Sequence, residues 1–445
     1  MSAVGQWFVT GSARSRHARH TLSLSGMRIL YLHQHFSTPA GSTATRSYAF
    51  ARALAQRGHD VTLLCGRYQG AEAGVQGAFA RGQRAGRVAG FQVVECDIRC
   101  GNDMTLPARA RAFLRYASAA SRYAWRHRPD LIIASSTPLT VALPALVAKA
   151  IRGTPFVFEI RDPWPELPRA MGLLPWPLGP ILDLLANAAC RGAAAVVALS
   201  DGMAETARAR GADPARVCVI GNGCDLDLFG PHIPPWRPPE AAAWEVLAVY
   251  AGAHGRANGL DVLLEAARHL ANQGEDRLRI LLVGEGREKH RLIAAAQGLP
   301  NLTFLDPMPK ADLARLFAGC QIGLHLLADV PAFAEWTAPN KLMDGLAAGL
   351  PMISNAPGQA ARLLKDTACG LAVPPGDAVA LAEALRRLTH HPAERAAMGA
   401  AARRLAVSQH DRRLQAARFC DLVAMLAPRA RAARQLSMPE PIGQG

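Results

Sequence analysis

Short apolar runs alternate along the chain with longer stretches whose apolar residues return at helical spacing, the pattern of a parallel α/β sheet. In the first half the runs predict strands at Ile29–Leu32, Asp60–Cys65, Gln92–Cys96, Leu131–Ala134, Pro155–Ile160, Ala194–Leu199 and Val217–Ile220. Ala44 to Arg57 has the period of a helix and stops at Gly58. Five prolines between Pro231 and Pro239 interrupt the alternation, which resumes with a strand at Val246–Tyr250. It continues as helix 260–271, strand 278–283, helix 287–297, strand 302–305, helix 310–318, strand 321–327, helix 340–348, strand 351–354 and helices 357–364, 377–389, 392–406 and 410–426. The fold class expected is α/β, with two Rossmann-like parallel-sheet domains facing a cleft. The domains are expected at 27–230 and 246–408, with a linker at 231–245, a terminal helix at 409–427 and a frayed tail at 428–445. Residues 1–26 carry three Arg and two His but no acid, and read as a disordered basic extension or as sequence upstream of a start at Met27.

Half of the 445 residues are hydrophobic and 19% are charged, enough for large cores and too ordered a composition for wholesale disorder. Fifty basic against 35 acidic residues give +15, which favours anionic partners: nucleic acid, a membrane surface or a phosphorylated substrate. Only five of the fifty are Lys, and the Arg and Ala excess is partly codon bias. Nine Cys form no CxxC, and Cys96 and Cys100 lack a second pair, so neither a metal site nor a cofactor is expected. The longest uncharged stretch, Leu131 to Ala148, contains two prolines and the run Ser135-Ser136-Thr137, and reads as strand, loop and helix rather than a membrane span.

Candidate chemistry sits where predicted strands end. Gly41, in the loop after the first strand, would let backbone amides approach an anion at a helix N-terminus. Gly284 and Gly286 follow a strand and open a helix, but Lys289 stands where a dinucleotide fingerprint needs its third Gly. Asn340 is placed as an N-cap, Gly349 as a helix stop, and Lys341 and Asp344 share one helix face. A Lys at a helix N-terminus suits a diphosphate, and an acid one turn later suits ribose hydroxyls; a solvated ion pair is the competing account. Glu159 to Glu166 puts four charges, Arg161 and Asp162 among them, and Trp164 at a strand's carboxyl end, as a cleft wall or a salt-bridged loop. Residues 99–128 carry seven Arg, among them Arg109, Arg111 and Arg115, interleaved with Phe113, Leu114, Tyr116, Tyr123 and Trp125. That composition fits an interfacial helix on anionic lipid. No nucleic-acid module accompanies it.

These motifs, taken in order, resemble the GT-B-fold, family 4 glycosyltransferases, especially the branch that builds bacterial O-antigen and capsular polysaccharide. The resemblance runs over about 27–426. It rests on Arg46 with Gly58-His59-Asp-Val, Arg161-Asp162-Pro-Trp164-Pro-Glu166, Leu199-Ser200-Asp-Gly202, Gly221-Asn222-Gly223, Gly252…Gly255…Gly259-Leu-Asp261, Gly284-Glu-Gly286 and Pro339-Asn340-Lys341 through Gly349. It implies transfer of a sugar, with retention, from a nucleotide donor (UDP-linked by preference) to a lipid-linked saccharide at the inner membrane face. By the same resemblance the donor would meet Gly41, Gly252, Gly255, Arg256, Gly284, Gly286, Asn340, Lys341 and Asp344. Lys341, Asp162 and Glu335 would serve the chemistry, and Arg109, Arg111, Arg115 and Trp164 the acceptor and membrane. The chain departs from the family in places. The motif's first Glu would fall at Trp336, one residue past Glu335; Ala253-His254 and Asn258 replace an Arg and a Lys; Ser135-Ser136 replace a His. A UDP-sugar 2-epimerase of the same fold and a non-catalytic sugar-nucleotide-binding protein remain the alternatives.

Overall fold

The computed structural model describes residues 26–436, apart from 42, 44, 102, 332 and 337–339. All but Gly26 of the expected extension lies outside the described residues. The first sheet consists of β1 (Arg28–Leu32), β2 (Asp60–Tyr68), β3 (Gln83–Val88), β4 (Phe91–Cys100), β5 (Leu131–Ser135), β6 (Phe156–Ile160), β7 (Ala195–Ala198) and β8 (Val217–Val219). Their spatial order is β3-β4-β2-β1-β5-β6-β7-β8, parallel except for β3 against β4. Around it lie α1 (Arg46–Gln56), α2 (Leu106–His127), α3 (Ala142–Arg152), α4 (Glu166–Ala170), α5 (Gly179–Gly192) and α6 (Asp201–Ala209). Alternate residues of β1 serve opposite faces: Ile29 and Tyr31 join one core, Leu30 and Leu32 the other.

The second sheet consists of β9 (Val246–Ala251), β10 (Leu278–Val283), β11 (Leu302–Leu305), β12 (Ile322–His325), β13 (Met352–Ser354) and β14 (Gly370–Ala372). Its order, β11-β10-β9-β12-β13-β14, is that of a doubly wound sheet, with the order reversing between β9 and β12. Its helices are α7 (Asp261–Asn272), α8 (Lys289–Ala295), α9 (Lys310–Gly319), α10 (Phe333–Trp336), α11 (Asn340–Ala348), α12 (Gln359–Thr367), α13 (Ala378–His390) and α14 (Pro392–Gln409). A last helix, α15 (Arg412–Leu436), crosses back to the first domain.

The structure departs from the sequence expectations in three places. The hairpin β3–β4 was not foreseen, because β3 is a polar edge strand without apolar alternation; its turn takes positive φ at Ala89 and Gly90. The chain leaves the first domain earlier than the proline-rich stretch suggests: Ile220 belongs to the first domain's core, whereas Cys224 and Phe229 belong to the second's. The prolines instead run along the second domain, where the Trp236 amide donates to Arg315 O at 2.8 Å. The return crossing runs beside the outgoing one, with the Cys224 amide donating to His410 O at 2.7 Å and the Arg412 amide to Cys224 O at 2.9 Å. Finally, α15 does not stop at Pro428. Phe419, Val423, Leu426 and Ala430 form one apolar stripe buried in the first domain's core, and Phe419 stacks on Phe50 at 4.6 Å. Pro428 faces solvent, so the stripe continues past it.

An ion pair between Arg46 and Glu159 fastens the crossover. Arg46 Nε lies 2.9 Å from Glu159 Oε1, with both side chains buried, and its other two nitrogens donate to Gly221 O and Ile220 O at 2.6 and 2.7 Å. Glu159 also accepts from Ser135 Oγ at 2.6 Å and Tyr31 Oη at 3.3 Å. Burial opposes its charge, but Arg46, Arg161 and the Ser135 hydroxyl together hold its carboxyl below the ordinary range. Glu159→Gln leaves a buried guanidinium without its counter-charge and is expected to cost about 3–5 kcal/mol in urea unfolding. The double change Arg46→Met, Glu159→Leu removes both charges and should cost less than Glu159→Gln alone. Equal costs would show that the pair contributes only packing.

Candidate active site

Lys341 begins the second turn-forming position of α11, directly after Asn340, and reaches back to the end of β9. Its Nζ donates to Tyr250 Oη at 2.8 Å and to Asn258 Oδ1 at 2.6 Å, and lies 4.7 Å from the centre of the Tyr250 ring. No carboxylate pairs with it among the described residues. Burial without a counter-charge pushes its ammonium down to about 7. Gly252 is needed here, since a Cβ would run into the Lys341 stem.

Two loops form the wall beside it. A Cβ at Gly284 would strike Gly252 O, and one at Gly286 would strike His254 O, so these glycines bring the ends of β9 and β10 together. The His254 amide donates to Glu285 O at 2.8 Å, and the Glu288 amide to His254 O at 3.0 Å. Between them the His254 ring is fully buried with neither nitrogen bonded to a described residue; burial first, then Lys289 and Lys341, push it down to about 4. His325, at the end of β12, is likewise buried: its Nδ1 lies 2.8 Å from Ser354 Oγ and its Nε2 has no partner among the described residues. Burial and Lys341 hold it at about 3. Asn340 Oδ1 is a further buried polar atom without a partner among the described residues. Buried polar groups normally find partners, so several orphans around one ammonium mark a binding site. Asn340 is the first helical residue rather than a cap. Gly255 is half-buried beside Asn258, and Arg256 is exposed in the short turn Arg256–Asn258.

Asp344 shares α11 with Lys341 but does not pair with it. It is buried against α9, where Lys310 Nζ lies 3.1 Å from Oδ2. Lys310 also lies 3.8 Å from Asp225, which pairs with Arg412 at 2.5 Å and accepts from Thr45 Oγ1 at 3.3 Å. The competing account, a solvated ion pair between the two, does not hold: Lys341 reaches toward the β9 loop while Asp344 packs inward against Lys310. Glu335 is exposed; its carboxylate pairs with Arg362 at 3.1 Å, and its carbonyl accepts from Ser200 Oγ across the domains at 2.7 Å. It forms no hydrogen bond or ion pair with Lys341 among the described residues, so the structure does not bring these two candidates together. Gly41 packs within its own loop, where a Cβ would meet Ser37 and the backbone of Glu72; this explains the glycine without a ligand.

On the first domain Asp162 is exposed and accepts from Thr137 Oγ1 at 2.6 Å, while the Arg161 amide donates to Ser136 Oγ at 3.1 Å. Trp164 is half-buried against the core beneath them. Of the three arginines, Arg111 and Arg115 are exposed on α2, but Arg109 turns inward over Phe113, 5.8 Å from the ring centre. Tyr250, His254, His325 and Lys310 carry no motif of their own; only the fold brings them to Lys341 and Asp344. The domains also touch through Arg287, which donates to Met104 O at 2.7 Å.

Two family models match the chain: "Glycosyl transferase 4-like domain" over residues 41–223 and "Glycosyl transferases group 1" over 245–391. A D-inositol 3-phosphate glycosyltransferase of Kribbella flavida is 31% identical over 211 residues, 43% of this chain and 47% of that protein. A second, of Nocardioides sp., is 30% identical over 43% of this chain and 44% of its own length. The chain thus matches about half the length of these curated relatives. Among solved structures, sucrose-phosphate synthase from Thermosynechococcus elongatus superposes with TM-score 0.70 at 17% identity, covering 90% of this chain and 99% of that one. HepE of Anabaena, solved with UDP-glucose, gives 0.62 at 18%, covering 90% and 100%. The chain thus carries, in order, a glycosyl transferase 4-like domain on its first sheet and a glycosyl transferases group 1 domain on its second, in the two-sheet α/β fold of these solved structures.

Proposed function

We propose that the protein is a retaining glycosyltransferase that moves a sugar from a nucleotide donor, UDP-linked, to a lipid-linked saccharide in surface polysaccharide synthesis. The observation that carries this is the Lys341 ammonium, buried at the N-terminus of α11 beside Tyr250 and Asn258 with no carboxylate partner among the described residues. A departing nucleoside diphosphate accumulates negative charge as its bond to the sugar breaks. Lys341 and the free amides of α11 oppose that charge from fixed positions in a dry site. Neutral His254 and His325 can donate or accept a hydrogen bond without adding charge. The Gly252, Gly284 and Gly286 backbones make room for the nucleotide, with Gly255 and Arg256 at its rim. Asp344, held by Lys310, keeps lone pairs for ribose hydroxyls, while Asp162 and Trp164 lie on the acceptor side. Retention and the lipid-linked acceptor rest on the resemblance. That HepE of Anabaena is solved with UDP-glucose supports the donor class.

The acceptor-side domain also presents an apolar and basic face. On α2, Leu106, Leu114 and Trp125 are exposed beside Arg111, Arg115, Arg122 and Arg126. The adjoining α3 and α5 add exposed Ile151, Ile181 and Leu184, and Trp176, just before α5, is 90% exposed. Arg152 stacks on Trp125 at 4.0 Å. Large apolar side chains ringed by arginines fit the interface of an anionic bilayer. No helix among the described residues is long and apolar enough to cross a membrane. Peripheral attachment at the inner face of the cell membrane follows as part of the proposal.

Three measurements test it. Lys341→Ala should lower kcat/KM by about a hundredfold, about 3 kcal/mol of transition-state stabilisation, with a smaller effect on nucleoside binding; near-normal turnover would remove Lys341 from the site. A bound diphosphate favours the charged ammonium. Above pH 7, therefore, donor binding should take up a proton and weaken by as much as tenfold per pH unit, whereas below pH 7 it should be flat. Calorimetry of UDP-glucose in buffers of different ionisation enthalpy reads the uptake, which should vanish in Lys341→Met. The third is sedimentation with anionic and zwitterionic vesicles. Binding should be anionic-selective, salt-sensitive and lost when Arg111, Arg115 and Arg122 are changed together to Gln. Equal binding to both vesicle types would contradict the electrostatic attachment, and a free epimerised sugar released without acceptor would favour the epimerase instead.

A further inference from the structure

The segment that leads into Lys341 is pinned to the opposite domain. Trp336 ends α10, shortly before Lys341 in the chain. It is half-buried against a small apolar cluster of Ala198, Leu199, Met203 and Ala204, all of them first-domain residues from the end of β7 and from α6. Beside it the Ser200 hydroxyl donates to Glu335 O at 2.7 Å and accepts from the Met203 amide at 3.2 Å. One side chain thus caps α6 and reaches across the domains.

Gly202, in the first turn of α6, permits the approach. A Cβ there would stand 2.5 Å from both Cβ and O of Glu335. The position is ordinary helix without positive φ, so the neighbouring domain, and not its own backbone, excludes a larger residue. Arg362, on α12, holds the Glu335 carboxylate at 3.1 Å. Glu335 foremost, and then Asp201 of the first domain with Asp366, hold its guanidinium above the ordinary range. Apolar burial, a hydrogen bond, close backbone approach and charge therefore converge on two consecutive residues, Glu335 and Trp336. The identity of residue 336 follows: where the resemblance would place a Glu, a carboxylate would face this apolar cluster without a partner, whereas an indole fills it.

We propose that Trp336 is an interdomain lock, a positioning residue that with Glu335 seats α10 on α6 and so fixes the chain entering α11, and Lys341 with it, against the first domain. The lock is engaged before any ligand binds. Its effect on the Lys341 site rests on the reading of that site as the place of the nucleotide diphosphate; the docking of the domains does not.

Gly202→Ala is the sharpest test. Alanine favours a helix over glycine, so α6 itself is not weakened, yet the added methyl collides with Glu335. Small-angle X-ray scattering from the full chain without ligand should give a larger radius of gyration for Gly202→Ala and for Trp336→Ala than for the unchanged protein, and Trp336→Phe should restore compactness. Calorimetry should show UDP binding weakened about tenfold in the first two variants, as preorganisation is lost, and recovered in Trp336→Phe. Circular dichroism checks each fold, and Gly202→Ala serves if Trp336→Ala unfolds. Unchanged scattering in Gly202→Ala overturns the lock. Expanded scattering with undiminished UDP affinity overturns the positioning role. If UDP does not bind the unchanged protein, the transferase proposal fails together with that role, while scattering still decides the lock.

Discussion

An ammonium group held out of water with no carboxylate beside it is an unfavourable arrangement, and the candidate site at the ends of β9 and β10 is organised around one. Lys341 is kept there by two neutral acceptors, Tyr250 Oη and Asn258 Oδ1, which orient the charge without cancelling it. The glycine at 252 leaves room for its stem, and those at 284 and 286 let the adjoining loop backbones of Gly252 and His254 approach closely. Burial first, and Lys341 after it, keeps His254 and His325 neutral, so that neither brings a second positive charge into the same dry volume. A site of this kind is preorganised for an anion: most of the desolvation and orientation is complete before the ligand arrives.

The other constraint is mechanical. Both chain crossings between the domains pass through one narrow strip, where Cys224 and residues 410–412 pair. Arg46 and Glu159 fasten that strip to the first domain, while Asp225, Arg412 and Lys310 join it to the second. Lys310 also holds Asp344, so the carboxylate on α11 and the carboxylate at the crossing share one cation. Contacts farther out, Arg287 with Met104 and Ser200 with Glu335, span the domains at other points.

The fold was largely legible in the chain because buried parallel strands are continuous apolar runs, and helices between them keep their period. β3 escaped notice because an edge strand needs no apolar face, and the domain crossing was misplaced because Pro-rich chain can lie flat on a domain as well as link two. The candidate site was legible where its residues sit in sequence-local motifs: Gly252, Gly284, Gly286, Asn340 and Lys341. It was illegible where it depends on three-dimensional convergence. Nothing in the helical phase of Asp344 shows that Lys310, thirty-four residues earlier, claims its carboxylate. Nor does the arginine count of α2 show that Arg109 turns inward while Arg111 and Arg115 face out. Composition records how much charge a helix carries, whereas the packed neighbours decide where each charge points.

The most direct test of the central claim is a crystal structure of the protein with UDP bound. The account predicts a diphosphate oxygen about 3 Å from Lys341 Nζ, at the N-terminus of α11, with the ammonium released from Tyr250 or Asn258. A diphosphate bound elsewhere, with Lys341 still held by both of them, would contradict it.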